Sequence, residues 1–227
     1  MARVGRGKGS GWRAAGLAAV VATLCGCTTT VAGHATRAAG QPTGPSTSVK
    51  PAPARELLLQ DGDRAPFGQL TQFLVGDNYF TSAEPAECKA ALLLKDSPLR
   101  PAGSSDHAEA AYNDGEQPLY AESVDVYTNT LNVHDVVWNG FRAVSECHGE
   151  AIGVSPSGKS APMRLSYFAI PADGVLVWTM SSPRWTCDYG LAVVSRVALV
   201  LSACDFQSGF AMAEWASQRR TQLDTRA

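Results

Sequence analysis

Cysteine is the most informative residue type in this sequence, because a thiol can carry an acyl chain, form a disulfide or bind a metal. Two of the six cysteines stand close together near the N-terminus, and four are spread over the rest of the 227 residues: Cys25, Cys27, Cys88, Cys147, Cys187 and Cys204. No two of them have the Cys-x-x-Cys spacing of a zinc site, and His148 is a single histidine beside Cys147. We therefore predict no metal site, and no motif predicts a cofactor.

The segment that ends at Cys27 has the organisation of an export signal. Four basic residues without an acidic one precede an apolar run from Ala14 to Leu24, shorter than the roughly 20 apolar residues of a membrane-spanning helix. No later run is long enough either, so we predict no transmembrane helix. Leu24-Cys25-Gly26-Cys27 resembles the lipobox of bacterial lipoproteins, whose last thiol takes a diacylglycerol before the new N-terminus takes a further acyl chain such as palmitate. We predict a signal peptide over 1–26 and lipidation of Cys27, with secretion after cleavage at Ala35 as the alternative.

Residues 27–54 consist mainly of Thr, Ala, Gly, Pro and Ser and contain no acidic residue. This composition buries too little apolar surface to offset the entropy of ordering, so it predicts a disordered tether before a domain over 55–227. When the signal's four basic residues are subtracted from the total of 19, 15 remain against 21 acidic ones, a net charge of about −6. An acidic body argues against nucleic acid as a partner. The predicted partner is the membrane, reached through the lipid on Cys27.

The four remaining cysteines predict two disulfides, and the spacing of the last two selects a pairing. Two β-branched runs flank residues 195–196, which favours a hairpin with its turn there. Counting back from that turn brings Cys187 opposite Cys204 at a non-hydrogen-bonded position, where Cα atoms lie about 4.5 Å apart, within disulfide range. Cys88 then pairs with Cys147.

Helices are predicted around this second pair of cysteines. Asn132 has the position of an N-cap and Gly149 follows the predicted end of its helix, whose apolar residues share one face with Cys147. Cys88 lies in the first turn of a short helix that begins near Pro85.

Periodicity predicts the remaining elements. Pro66 and the apolar residues at helical spacing up to Leu74 predict a short helix, and the acidic segment 103–118 predicts a solvated loop. Strands are predicted over 119–128, 163–170 and 175–180 and along the hairpin from Arg184 to Cys204, and a last helix over 208–223. Hairpins between helices predict an α+β domain, with helices packed on a central, mainly antiparallel sheet.

One sequence match concerns nucleotide binding. Residues 153–160 satisfy the phosphate-loop pattern G-x-x-x-x-G-K-S, but that loop needs a helix directly after it. A strand-like run from Met163 follows instead, so we interpret the segment as a turn and predict no nucleotide. No G-x-S-x-G elbow occurs, and no histidine has a catalytic motif around it. We predict a protein without enzymatic activity, with a cell-envelope hydrolase of unrecognised active site as the alternative.

Tryptophans are the candidates for ligand contacts. Trp138 lies off the apolar face of its predicted helix, which suits a ligand cleft, so we predict a ligand contact there. Trp178, Trp185 and Trp215 could also contact a ligand, although such aromatic residues are more typical of core or edge packing.

The C-terminal half carries a family resemblance. Trp185-Thr186-Cys187, two β-branched strands, Ser202-Ala203-Cys204 and a closing helix resemble the PknH-like extracellular sensor domains of mycobacterial receptor kinases and actinobacterial lipoproteins, over roughly residues 60–225. The resemblance implies an α+β fold, disulfides between the first and second and between the third and fourth cysteines, and a cleft for an unidentified ligand. It implies no particular ligand residues. We expect a lipid-anchored, sensor-like domain at the outer face of the cell membrane that binds an envelope ligand or protein partner, with an accessory scaffold lipoprotein as a further alternative.

Overall fold

The computed structural model describes residues 52–66, 68–113, 119–205 and 209–226. Its helices are α1 (Ala54–Leu57), a 3-10 turn (Ala86–Cys88) continued by α2 (Lys89–Leu92), α3 (Val133–Ser145) and α4 (Met212–Arg226). Its strands are β1 (Arg64–Ala65), β2 (Gly68–Gln69), β3 (Thr71–Phe73), β4 (Ser82–Glu84), β5 (Asp106–Asn113), β6 (Leu119–Val126), β7 (Glu150–Ser155), β8 (Gly158–Lys159), β9 (Met163–Ala172), β10 (Val175–Ser182), β11 (Trp185–Val194) and β12 (Val197–Asp205). The predicted signal peptide over 1–26, the predicted lipidation site Cys27 and residues 27–51 of the predicted tether lie outside the described residues.

Ten of the described strands form one sheet in the order β3-β5-β6-β12-β11-β10-β9-β7-β4, with β8 paired to β7. Every pairing in this sheet is antiparallel. Apolar side chains on one face pack against α2 and α3, and those on the other face pack against α1 and α4. The structure confirms the predicted α+β fold, with helices on a central antiparallel sheet.

The hairpin of β11 and β12 lies at the centre of the sheet, and its predicted register is confirmed. Val194 pairs with Val197 across the turn, and Cys187 pairs with Cys204. Their Cα atoms lie 4.0 Å apart and the two sulfurs are bonded. Both strands are apolar on both faces because helices cover the sheet on either side. The simple count along the two runs therefore gave the correct disulfide.

The second disulfide joins Cys88 to Cys147, with 4.5 Å between the Cα atoms, as predicted. The Asn132 side chain caps α3 and accepts a hydrogen bond from the Asp135 backbone N–H at 3.3 Å. The helix nevertheless ends at Ser145, so Cys147 lies beyond it and not on its face. Cys147 is buried all the same, because the chain turns back to the sheet there.

Two predicted elements are wrong. Segment 66–74, predicted to be helical, is extended where the structure describes it: Leu70 between β2 and β3 is buried, whereas Leu74 is 87% exposed. Its apolar residues thus share no helical face, and pairing of β3 with β5 satisfies the backbone instead. Segment 103–118, predicted to be a loop, contains β5, whose Ala111 and Tyr112 are buried on opposite faces of the sheet. Its acidic Asp114 and Glu116 lie outside the described residues.

A buried ion pair joins α4 to the sheet. Arg219 of α4 is fully buried, as is Glu122 of β6. Arg219 Nε donates to Glu122 Oε1 at 2.7 Å, and Nη2 donates to Glu122 Oε2 and to the Leu57 carbonyl, both at 2.9 Å. Burial acts to lower the pKa of Arg219, but the Glu122 carboxylate outweighs it and raises the pKa. Arg219 therefore stays protonated, and its hydrogen bonds hold α1, β6 and α4 together.

Candidate functional site

Segment 153–160 is a β-hairpin, formed by β7 and β8, and no helix follows it. It is therefore not a phosphate-binding loop of the type that its sequence matches. Ser160 Oγ accepts from the Gly153 backbone N–H at 2.9 Å, and Thr81 N–H donates to the Val154 carbonyl at 2.8 Å. The Thr81 bond fastens the loop before β4 to the hairpin, and the Ser160 bond joins the two ends of segment 153–160.

Gly153 sets the close packing of this loop on the hairpin. A Cβ added at Gly153 would lie 2.5 Å from three ring carbons of Phe80. The ring thus lies directly against the glycine backbone, which only a residue without a side chain allows. This contact places Phe80 in the wall of a cleft.

The cleft has a volume of about 520 Å³ and lies between two turns of the sheet. The β7–β8 hairpin forms one wall, and the turn between β10 and β11 forms the other with Arg184 and Trp185. Phe80 and Met163 add apolar surface between the walls. The remaining lining residues are small or polar: Asn78, Ser155, Ser157, Gly158, Lys159, Ser160, Ala161 and Ser182.

The charged side chains among the described lining residues are both cations. Lys159 Nζ bonds the Glu84 carboxylate, which lies outside the lining, at 2.9 and 2.8 Å. Arg184 is exposed, and its side chain makes no ion pair or hydrogen bond with another described residue. The cleft therefore presents one paired cation and one cation whose donors are available to a ligand.

A small chamber of about 50 Å³ adjoins the cleft and shares Asn78, Phe80 and Trp185 with it. The Cys187–Cys204 disulfide and the side chains of Leu92, Leu94, Tyr79 and Tyr189 are part of its lining, so it is mostly apolar. Burial is the main cause that raises the pKa of both tyrosines well above the ordinary value, so their phenols stay neutral. This chamber can hold a small apolar group but no charge.

A second cavity, of about 360 Å³, lies beside the start of α4. Asp188 in its lining is 8% exposed and accepts a hydrogen bond from Thr179 Oγ1 at 2.5 Å. Burial raises the pKa of this carboxyl, opposed by the Thr179 hydroxyl and by a backbone bond from Phe210. Asp188 thus ties β11 to the segment before α4.

The structure separates the four candidate tryptophans. Trp178 and Trp215 are buried, and their indole N–H groups donate to the Ala91 carbonyl at 2.9 Å and to Tyr120 Oη at 2.7 Å. Trp185, which the sequence analysis named as a further possible ligand contact, lines the cleft. Trp138 lines none of the three cavities described above. It is 41% exposed on α3 and forms an aromatic patch with Phe141 and Phe168, whose rings lie 4.8 Å apart.

The described residues contain no group of three or more His, Cys, Asp or Glu side chains that could hold a metal ion. No helix among them is long and apolar enough to cross a bilayer. Cys27 lies outside the described residues, so its lipidation stays a prediction. Sequence reasoning missed Lys159, Arg184 and Phe80 as cleft residues; the Gly- and Ser-rich match at 153–160 was the available signal, since that hairpin forms a wall.

The fold is that of an extracellular domain known from a solved structure. The crystal structure of the extracellular domain of PknH from Mycobacterium tuberculosis superposes with a TM-score of 0.54 and covers 78% of this chain and 96% of that one. Only 13% of the residues are identical, so the likeness shows the fold alone. It confirms the predicted PknH-like architecture.

Sequence comparison places the chain within a narrower group. No protein-family model matches it. It is 68% identical over 226 residues to the proteins named "Putative lipoprotein LprH" of Mycobacterium tuberculosis and Mycobacterium bovis, with 99% of each chain covered. The chain belongs to the LprH family of mycobacterial lipoproteins.

Proposed function

We propose that this protein is a lipid-anchored binding protein at the outer face of the cell membrane, and that its cleft takes a ligand of the cell envelope. The cleft is the observation that carries the proposal: its volume of about 520 Å³ falls within the range of about 300–1,000 Å³ typical of small-molecule sites. It combines aromatic walls with a few polar groups, as such sites do. The lipoprotein name of the family and the extracellular-domain fold support the location.

The proposed organisation follows from the sequence. A signal peptide over 1–26 would be removed, the lipid would attach to Cys27, and residues 27–54 would tether the domain over 55–227. Ala54 at the end of that tether is buried, and its N–H donates to Asp106 Oδ2 at 2.8 Å, so the folded body includes it. The two disulfides support a location at the outer face of the membrane, because disulfides persist in oxidising compartments outside the cytoplasm.

The protein is proposed to act by binding and not by catalysis. The serine hydroxyls of the cleft donate to backbone carbonyls, as Ser157 does to Asp77 and Ser182 does to Trp185, and the adjacent Lys159 is held by Glu84. None of the serines among the described lining residues hydrogen-bonds a histidine, lysine or carboxylate side chain. In the second cavity Thr179 contacts Asp188, but no histidine or lysine is present among the described lining residues.

Thermal unfolding of the full-length chain in a non-ionic detergent, with and without fractions of a mycobacterial envelope extract, tests the proposal. A ligand at about 100 times its Kd stabilises by about 2.7 kcal/mol. For a chain of this size that stabilisation raises Tm by roughly 5–10 °C. At least one fraction should produce such a shift.

Two phenylalanine variants assign the shift to the cleft. Ala161→Phe places a ring in the cleft, whereas Ala102→Phe adds the same ring at an exposed position outside its lining. The shift should vanish in the first variant and persist in the second. Stabilisation by no fraction, or an equal shift in both variants, would overturn the proposal.

A second candidate, docking of an envelope protein, is favoured by the exposed aromatic patch around Trp138. Exposed apolar patches of this kind mark interaction surfaces. A photo-crosslinking amino acid at Trp138 should capture one protein in intact cells, and the same amino acid at exposed Glu146 should not. Equal capture from both positions argues against docking.

A further inference from the structure

We propose that the ligand of the cleft is a phosphorylated carbohydrate or polyol, whose phosphate binds Arg184 and Lys159. This inference rests on the proposed function and names the chemical class of its ligand. It is carried by the hydrogen-bonding state of the lining residues, their charge and the position of the aromatic rings.

The charge of the lining selects an anionic group. Both charged side chains among its described residues are cations, in a body that carries an acidic excess. Arg184 offers a planar fork of N–H donors that matches phosphate oxygens, and no described residue uses it. Lys159 shares its ammonium with Glu84 and adds a second, weaker attraction.

The serine hydroxyls of the cleft favour a ligand that carries hydroxyl groups. Ser157 donates to the Asp77 carbonyl at 3.1 Å, Ser160 to that of Ala161 at 2.8 Å, and Ser182 to that of Trp185 at 3.1 Å. Because each hydroxyl proton is already used, these oxygens offer lone pairs to a ligand rather than donors. Their natural complement is a ligand rich in O–H groups, as sugars and polyols are.

The aromatic rings suit the body of such a ligand. Trp185 and Phe80 are partly exposed in the lining. The electron-rich face of an aromatic ring attracts the weakly positive C–H groups of a sugar or polyol ring. A phosphorylated ring can therefore use the cations, the serine oxygens and the rings at once, whereas an uncharged or purely apolar ligand leaves Arg184 unused.

Calorimetric titration of the full-length chain in a non-ionic detergent tests this proposal with six compounds. Glucose 6-phosphate and inositol 1-phosphate are compared with glucose and inositol, and each phosphorylated probe should bind at least tenfold tighter than its parent. Dioctanoyl phosphatidylinositol, compared with dioctanoyl phosphatidylcholine, then distinguishes a lipid headgroup from a soluble ligand. Binding of either phosphorylated source supports the shared chemistry.

Arg184→Gln should weaken the phosphorylated probes at least tenfold and leave the parent compounds unchanged. Arg142→Gln, on the exposed surface of α3, should change neither. The proposal is overturned if no phosphorylated probe binds better than its parent, or if Arg184→Gln has no effect. If an envelope fraction still stabilises the wild type but not Ala161→Phe, the proposed function stands and only this ligand class is rejected. If no fraction stabilises the wild type, both the proposed function and this ligand class are rejected.

Discussion

The Glu122–Arg219 pair is the residue-scale feature with the largest expected effect on stability. Arg219→Met leaves the Glu122 carboxylate fully buried without its cation, and breaking a buried pair in this way costs about 3–5 kcal/mol. The double variant Glu122→Gln/Arg219→Met removes the uncompensated charge and keeps an amide oxygen that can accept from the Leu59 N–H. It should therefore be more stable than Arg219→Met alone.

Urea unfolding with the disulfides intact measures both variants. Exposed Arg226 of the same helix provides the control, because Arg226→Met should change the free energy of unfolding by less than about 0.5 kcal/mol. A double variant that is less stable than the single one would show that an unpartnered Glu122 is not the cause of the destabilisation in Arg219→Met.

Asp188 predicts a pH dependence of stability. Its pKa is raised in the folded protein, so between the ordinary value and the raised one the folded state binds more protons than the unfolded state. Stability must then fall as pH rises through that window. Asp188→Asn has no carboxyl to titrate and does not lose this stability. The free energy of unfolding of the variant minus that of the wild type should therefore increase from pH 4 upwards and then level off.

Unfolding curves at pH 4, 5, 6 and 7 would show the trend. Asp224→Asn, at an exposed position of α4, controls for replacing a carboxylate by an amide. A difference between wild type and Asp188→Asn that shrinks with pH would mean that burial does not govern this carboxyl.

At the scale of elements, the reliability of prediction followed the length of the pattern. The β11–β12 hairpin has two long apolar runs whose period of two fixes the register, so its pairing could be predicted to the residue. Segment 66–74 is short, and its few apolar residues fit a helix as well as a strand. Only pairing with β5, which is distant in sequence, decides between them. Tertiary contacts thus decided where local pattern did not.

The cleft could not be predicted because its lining comes from three separate segments of the chain. The segment with Phe80, the stretch from the β7–β8 hairpin to Met163 and the turn at Arg184 meet only through sheet pairing. Arg184 belongs to no sequence motif, and the turn that contains it has the sequence of an ordinary solvent-exposed turn. Trp138 was plausible from its helix face but lies away from the three cavities.

The two disulfides predict different stabilities for the variants that lack them. In the chain-entropy model the bridge that spans 59 residues contributes about 4 kcal/mol and the bridge that spans 17 about 3 kcal/mol. Cys88→Ser/Cys147→Ser should therefore lower Tm more than Cys187→Ser/Cys204→Ser. Calorimetric melting of the two variants beside the wild type compares them, and a reversed order would show that the central hairpin depends on its bridge for more than loop entropy.

At the scale of the whole molecule, the prediction concerns attachment to the membrane. Cys27→Ser should abolish labelling of the protein by a palmitate analogue and move it from the membrane fraction to the medium or a soluble fraction, because the acyl chains supply the anchor. Cys25→Ser should keep both the label and the membrane location, since Cys25 belongs to the signal peptide whose removal we propose. If labelling is lost in Cys25→Ser but kept in Cys27→Ser, the acylated thiol is not Cys27.

The hydrogen bonds of α1 have a mechanical consequence. The Leu57 carbonyl is held by Arg219, 162 positions further along the chain, and the Leu59 N–H is held by Glu122 at 3.2 Å. Tension that reaches the domain from its N-terminal side is therefore transmitted to α4 and β6 in the interior. A force applied to the N-terminal side therefore acts directly on buried hydrogen bonds at the centre of the domain, and does not first detach surface residues one by one.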